Sequence, residues 1–325
     1  MKFSDKKILV TGGAGFIGSN LCEELLKLGS KVICFDNFST GKYENISDFM
    51  NHSQFKLLEG DIRDMSKCEY ACKDIDYVLH QAALGSVPRS IKDPKTTNEV
   101  NIDGFLNMLI ASRDNKVKRF IYAASSSTYG DSSKLPKVEA NIGKPLSPYA
   151  ITKYVNELYA EIFSTTYSLE TIGLRYFNVF GKKQDPDGAY AAVIPKFVGQ
   201  LMKGESPVIN GDGNYSRDFT YIKNVIHANI LSLKTSKKES INTVYNVAFG
   251  ERNTLNDLVV YIKEYLSDFD SKISDIDVIY GPYRQGDIPH SHASIKKAKE
   301  LLGYNPSFSL KEGLKEAVNW YWKNL

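Results

Sequence analysis

Three side chains in this 325-residue sequence have the types and spacing to move a proton to and from an alcohol. Tyr149 and Lys153 stand four positions apart, the one Tyr-x-x-x-Lys in a chain with 20 tyrosines. On a helix that spacing places both on one face. A free phenol, with a pKa of about 10, is a poor base at neutral pH. A neighbouring ammonium, and any further positive charge beside it, would favour phenolate. Ser147-Pro148 immediately upstream is a helix-start signal that holds Tyr149 in the first turn. The third group is Ser125, in Ser125-Ser126-Ser127-Thr128-Tyr129-Gly130, which follows the apolar run Arg119–Ala123. A hydroxyl at the carboxyl end of a central strand is placed to hydrogen-bond a sugar or alcohol oxygen.

A second constellation binds rather than reacts. Gly12-Gly13-Ala14-Gly15-Phe16-Ile17-Gly18 separates a short apolar run, Lys7–Thr11, from a helical stretch, Phe16–Leu28, with Gly29 as its stop signal. Gly12 allows a tight turn, Gly15 lets the backbone approach a pyrophosphate, and Gly18 permits close helix–strand contact. The helix start offers free N–H groups to phosphate. The spacing is G-x-x-G-x-x-G, not the G-x-G-x-x-G of two-domain dehydrogenases. Asp36 ends the run Lys31–Phe35, eighteen residues after Gly18, where a carboxylate can accept both hydroxyls of an adenosine ribose. No cation follows in Asn37-Phe38-Ser39-Thr40-Gly41, so a 2′-phosphate would meet a negative charge without a partner, and NAD is expected over NADP. Asp61, in Gly60-Asp61-Ile62, is placed to meet the adenine amino group. His80-Gln81-Ala82-Ala83 supplies small side chains that let the backbone pass close to the cofactor.

These groups need a scaffold that puts them at one edge of a sheet. Phe55–Leu58, Tyr77–His80, Arg119–Ala123 and Thr171–Arg175 read as further buried strands, with helices such as Asn101–Arg113 and Tyr149–Thr166 between them. This alternation predicts a doubly wound, Rossmann-type parallel α/β sheet covered on both faces. After about Gly181 the rhythm breaks. We expect a NAD-binding domain over 1–180, with returning segments at about 219–248, and a smaller α/β carboxyl-terminal substrate domain over 181–218 and 249–325. Its expected parts are a helix at Ile194–Met202, a turn-rich Val208–Tyr215, and largely helical stretches at Thr254–Leu266 and Ile295–Leu325.

Composition narrows the function class. Apolar residues make up 42% and charged residues 24%, and Lys+Arg exceed Asp+Glu by only 41 − 38 = 3. That argues against disorder and against a strongly basic nucleic-acid binder. Four cysteines are too sparse for a disulfide framework, and Cys68 and Cys72 lack the partners of a zinc set, so no metal is expected. No stretch reads as a signal peptide or membrane span, and a cytoplasmic location is expected.

Together the motifs resemble the extended short-chain dehydrogenase/reductases, specifically the nucleotide-sugar 4-epimerases. The resemblance runs through TGGAGFIGSNL, FDNFSTG, GDIRD, HQAA, SSSTYG and YAITK, then LRYFNVFG (174–181), VIPKF (193–197), SRDFTYI (216–222) and RQGDIPHS (284–291). It implies that Ser125, Tyr149 and Lys153 are catalytic. It extends the cofactor set to Phe16, Ile17, Asn37, Ser39, Gly41, Ile62, Asn101, Ala123 and Phe177, with Tyr149 and Lys153. Related dehydratases carry Asp-Glu where Ser126 and Ser127 stand, so elimination of water is not expected. The implied reaction removes the O4 proton to Tyr149 as hydride leaves C4 for NAD⁺. The 4-keto sugar then turns over, and hydride returns to its other face.

For a UDP-sugar the resemblance implies diphosphate contacts from Arg217, Arg284 and Asn178, a ribose contact from Asp287, and uracil contacts at Val193, Ile194, Lys196, Val208 and Asn210. Gly85, Ser86 and Arg89, with Ser125 to Ser127 and Tyr149, resemble the sugar site of N-acetylhexosamine epimerases. Ser291 stands where hexose-only relatives carry a bulky tyrosine, which leaves room for an N-acetyl group. UDP-GlcNAc and UDP-GalNAc are the expected pair. Their uronic acids come second because Arg89 could meet a C6 carboxylate, and UDP-Glc/UDP-Gal is a further alternative. A reductase and a non-catalytic NAD-binding sensor are the rival readings. The helices Asn101–Arg113 and Tyr149–Thr166 correspond to those that pair subunits in the family, so a homodimer is expected.

Overall fold

A computed structural model describes residues 2–186, 192–283 and 288–325. The expected diphosphate and ribose ligands Arg284 and Asp287 lie outside the described residues. The first lobe runs β1 (Lys7–Thr11), α1 (Phe16–Lys27), β2 (Lys31–Asp36), β3 (Phe55–Glu59), α2 (Met65–Cys72) and β4 (Tyr77–His80). It continues through α3 (Val87–Lys92), α4 (Pro94–Asn98), α5 (Gly104–Asp114), β5 (Arg119–Ser125), α6 (Pro148–Tyr167) and β6 (Glu170–Tyr176). Beyond it come β7 (Val179–Phe180), α7 (Val193–Met202), β8 (Val208–Asn210), β9 (Ser216–Arg217), β10 (Thr220–Tyr221) and α8 (Ile222–Lys234). The chain closes with β11 (Thr243–Val247), β12 (Asn253–Thr254), α9 (Leu255–Ser267), β13 (Ile279–Gly281) and α10 (Leu310–Asn324).

Seven strands form one parallel sheet in the order β11-β6-β5-β4-β1-β2-β3. Its near-continuous apolar strands are buried on both faces: Ile8 and Val10 enter one core cluster and Leu9 the other. The strand order reverses between β1 and β4, where Thr11 is level with His80 on one side and Phe35 on the other. A doubly wound sheet opens its ligand crevice at that switch point. The expected returning segment splits into β10, α8 and β11, and β11 forms the edge of the main sheet beside β6. The smaller lobe is built on short pairs, β8 with β13 and β9 with β12, packed with α7, α9 and α10.

Two element boundaries differ from expectation. Residues Glu99–Asp103 form a wide π turn, and α5 starts only at Gly104. That turn carries Asn101 into the interior, where its amide oxygen accepts from Leu84 N at 2.8 Å and its nitrogen donates to Thr152 Oγ1 at 3.1 Å. The tail expected as largely helical is interrupted at Gly303 (φ 71°), and α10 begins only after the Ser309 capping box with Glu312. Among the described residues no helix is long and apolar enough to cross a membrane.

Candidate active site

The phosphate cradle follows from two close approaches. Gly12 has φ +64°, and a Cβ there would meet Ala82 N at 2.7 Å; a Cβ on Gly18 would meet Gly12 O at 2.0 Å. Only glycine allows β1, α1 and the strand-end loop at Ala82 to meet this tightly. Helix α1 then starts at Gly15 with no side-chain cap, which leaves its first N–H groups for a ligand. In front lies a cavity of about 330 Å³. Its walls include Gly12, Gly15, Phe16, Ile17, Gly18, Asp36, Asn37, Ser39, Asp61, Ile62, Gln81, Ala82 and Ala83 of the expected cofactor set. Gly85, expected on the sugar side, lines this cavity instead. Gly41 packs against the Asp36 carboxylate, where a Cβ would lie 2.9 Å from Asp36 Oδ1.

Asp36 accepts from Ala14 N at 2.9 Å and Phe38 N at 2.8 Å, so its orientation is fixed by backbone. Burial raises its pKa against those bonds. Asp61 is held by Arg63, whose guanidinium binds both carboxylate oxygens at 3.0 and 2.7 Å, and by Asn37 at 2.8 Å. The Arg63 pairing leads in lowering Asp61 to about 2. Arg63 went unread in the sequence, although an Asp-x-Arg fork was its signal. Gln81 Nε2 is buried without a partner while its Oε1 accepts from Tyr176 Oη at 3.2 Å. An uncapped helix start, a backbone-fixed carboxylate and an orphaned amide donor around one cavity fit a dinucleotide. Asn101 is 1% exposed and serves as a clamp between the β4 loop and α6, away from the cavity walls.

Ser125, Tyr149 and Lys153 meet where the end of β5 adjoins the start of α6. Ser147 Oγ accepts from Ala150 N at 3.1 Å and Pro148 occupies the first turn, so Tyr149 sits at the helix start. Burial raises the Tyr149 phenol, and its hydrogen bond with Ser125 acts in the opposite direction. Lys153 is 4% exposed; its Nζ lies 6.0 Å from the Tyr149 ring centre and donates to Ala123 O at 2.8 Å. Ala123 therefore acts through its carbonyl. Burial lowers Lys153 to about 8, opposed by Glu157. The ammonium alone thus leaves the phenol above its ordinary value, contrary to the simplest form of the pairing argument. Ser125 Oγ accepts from Ser127 N at 3.1 Å and Ser127 Oγ at 2.9 Å, which turns its own proton outward to the phenol.

A second cavity of about 520 Å³ is lined by Val87, Pro88, Ile91, Ser126, Ser127, Tyr129, Lys137, Phe177, Asn178, Arg217, Ile288, His290 and Ser291; Ser125, Tyr149 and Lys153 are not among its wall residues. Phe177, expected beside the cofactor, lies here. A third cavity of about 270 Å³ shares Asn178 and Arg217 with the second and adds Val193, Ile194, Asn210 and Phe219. Asn178 is tied to Asp218 O at 3.0 Å, and Ser291 N to Ser216 O at 3.0 Å. Lys196, Val208, Ser86 and Arg89 line none of these walls. Ser86 instead caps α3, accepting from Arg89 N at 3.1 Å. Two wall residues were not singled out in the sequence: Lys137, which stands in no motif whose spacing announces a ligand, and His290, which lies within RQGDIPHS beside Ser291. Among the described residues no cluster could hold a metal ion, and all four cysteines are free and buried.

Residues 8–248 match the model of the NAD dependent epimerase/dehydratase family. The fold superposes with a TM-score of 0.92 on the UDP-N-acetylglucosamine 4-epimerase of Methanobrevibacter ruminantium, solved with UDP-N-acetylmuramic acid, at 42% identity over 98% of this chain and 99% of that one. A putative UDP-glucose 4-epimerase of Methanocaldococcus jannaschii is 37% identical over 98% of this chain and 99% of its own. A UDP-glucuronate 4-epimerase of Thermodesulfobacterium geofontis is 34% identical over 98% and 96%.

Proposed function

Because the chain belongs to the NAD-dependent epimerase/dehydratase family, and is a nucleotide-sugar 4-epimerase with NAD as cofactor, we propose that it interconverts UDP-GlcNAc and UDP-GalNAc. The observation that carries this reading is the second cavity, whose walls include a small Ser291, pinned to β9, together with Ser126 and Ser127. That leaves room for a 2-acetamido group. When bound, NAD supplies the acceptor for the C4 hydrogen with its electron pair and gives it back. The chain's own residues do the rest. Tyr149 takes the O4 proton and returns it. Ser125, its acceptor sites filled by Ser127, donates to the reacting oxygens. Lys153 stays charged below about pH 8 and favours phenolate. Burial excludes bulk water from that proton exchange and raises the phenol's pKa, so positive charge from the ammonium and the bound cofactor would be needed to bring it down.

Arg217 and Asn178, shared by the second and third cavities, hold the diphosphate; Val193, Ile194 and Asn210 border the uracil. The uronic acids of the same sugars form the second reading, supported by the glucuronate-acting relative. Helices α5 and α6 pair two subunits in this proposal, because α6 exposes Ile151, Leu158 and Ile162. Ser291→Tyr tests the pocket. Turnover of UDP-GlcNAc should fall ~10-fold or more relative to UDP-Glc, the scale expected when a pocket loses space for a few heavy atoms. An unchanged ratio in a folded variant rejects the N-acetyl assignment.

A further inference from the structure

Five Lys or Arg side chains are buried among the described residues: Arg119, Lys137, Lys153, Arg175 and Lys183. Three have carboxylate partners, Arg119 with Glu170 at 2.6 Å, Arg175 with Glu157 at 2.6 Å and Lys183 with Glu23 at 3.3 Å. Lys153 has none because it works at the reacting centre. Lys137 is the other exception. It is 5% exposed, lines the second cavity, and donates to the Ser132 carbonyl, with no ion pair among the described residues. An ammonium has three donors, and a buried charge without a counter-charge is costly.

The position of Lys137 is fixed by its backbone. Its N–H donates to His292 O at 2.7 Å, and its carbonyl accepts from Ser294 N and Asn246 Nδ2, each at 2.9 Å. It therefore stands next to the strand-like segment that carries Ser291. Arg217 and Asn178 belong to both the second and third cavities and serve the diphosphate between them, whereas Lys137 borders the second cavity alone. It shares that cavity with Ser126 and Ser127, which the sequence resemblance assigns to the hexose.

Resting on the 4-epimerase reading above but favouring its acidic-sugar alternative over the neutral pair, we propose that Lys137 is a specificity residue that binds a carboxylate carried by the hexose, so that acidic UDP-N-acetylhexosamines bind more tightly than neutral ones. Arg89, the sequence's candidate for that task, lines neither cavity. Desolvation lowers the Lys137 pKa, and a bound anion would reverse that shift.

The test uses the NAD-loaded protein in a Tyr149→Phe background, so that ligands persist during calorimetry. Dissociation constants are measured for UDP, UDP-GlcNAc, its C6 uronic acid and UDP-N-acetylmuramic acid. The expected result is a preference of ~10-fold or more for one acidic sugar over UDP-GlcNAc, the scale of a charge-assisted hydrogen bond. That ratio should collapse in Lys137→Met and persist in Lys137→Arg. The two acids distinguish a carboxylate at C6 from one borne on O3. Equal weakening of all four ligands, UDP included, would overturn the proposal in favour of a diphosphate or packing role, as would an unchanged ratio. Lys137→Gln, which keeps a donor for Ser132 without the charge, replaces Lys137→Met should the latter fail to fold. The unmutated enzyme is assayed in parallel for C4 inversion. Failure there would sink the epimerase reading while the binding ratios still decide the role of Lys137.

Discussion

Tyr149 and Lys153 show how a motif carries chemistry only when its surroundings cooperate. The four-residue spacing put both on one face of α6, but burial holds the phenol up and brings the ammonium down to about 8. Neither shift was legible from the sequence, because each depends on what the fold places around the pair. Tyr149→Phe removes the hydroxyl and leaves the ring. It should lower turnover by at least ~10²-fold, the lower end for loss of a general base, while bound NAD, read by absorbance after denaturation, is retained. Near-normal turnover would show that another group moves the proton. The anionic contacts were less readable. Asp36 announced itself at a strand end and Arg63 had a signal in the Asp61-Ile62-Arg63 spacing, whereas Lys137 is set beside His292 and Ser294 only by the fold.

Strand–helix alternation was readable at the scale of elements because buried parallel strands are short apolar runs, α6 carries a clear start signal in Ser147-Pro148 and α1 a stop signal in Gly29. Boundaries slipped where a side chain overrode local preference, as when Asn101 drew the start of α5 into a π turn. The glycine loop is the element on which cofactor binding depends. A methyl on Gly18 would press 2.0 Å from the Gly12 carbonyl, a backbone atom that cannot swing aside. Gly18→Ala should therefore displace α1 from β1, lowering both the NAD content of the purified protein and its melting temperature. Overpacking of this kind costs about 1–3 kcal/mol. Full NAD occupancy and an unshifted melting curve would show that the loop has more slack than the structure indicates.

In the whole molecule, one sheet opens the crevice beside the glycine loop, and the second cavity draws its walls from both the first lobe and the later segments. The sequence announced the first lobe through its regular rhythm. The second was harder to read, because its strands have only two or three residues and find their pairs far along the chain, β8 with β13 and β9 with β12. Assembly belongs to this scale. Ile162 is 55% exposed on α6, and Ile162→Asp would place a charge in the proposed subunit seam. Light scattering should then show a shift from dimer to monomer; a wild-type monomer would remove the proposed pairing. The central claim is that the C4 hydrogen leaves with its electrons and comes back to the same carbon. The most direct measurement incubates the purified protein with UDP-GlcNAc in D₂O, without added cofactor, and follows C4 by NMR. The account predicts the C4-inverted sugar with no deuterium at C4. Deuterium appearing at that carbon, or no inversion of any UDP-sugar by NAD-loaded protein, would contradict it.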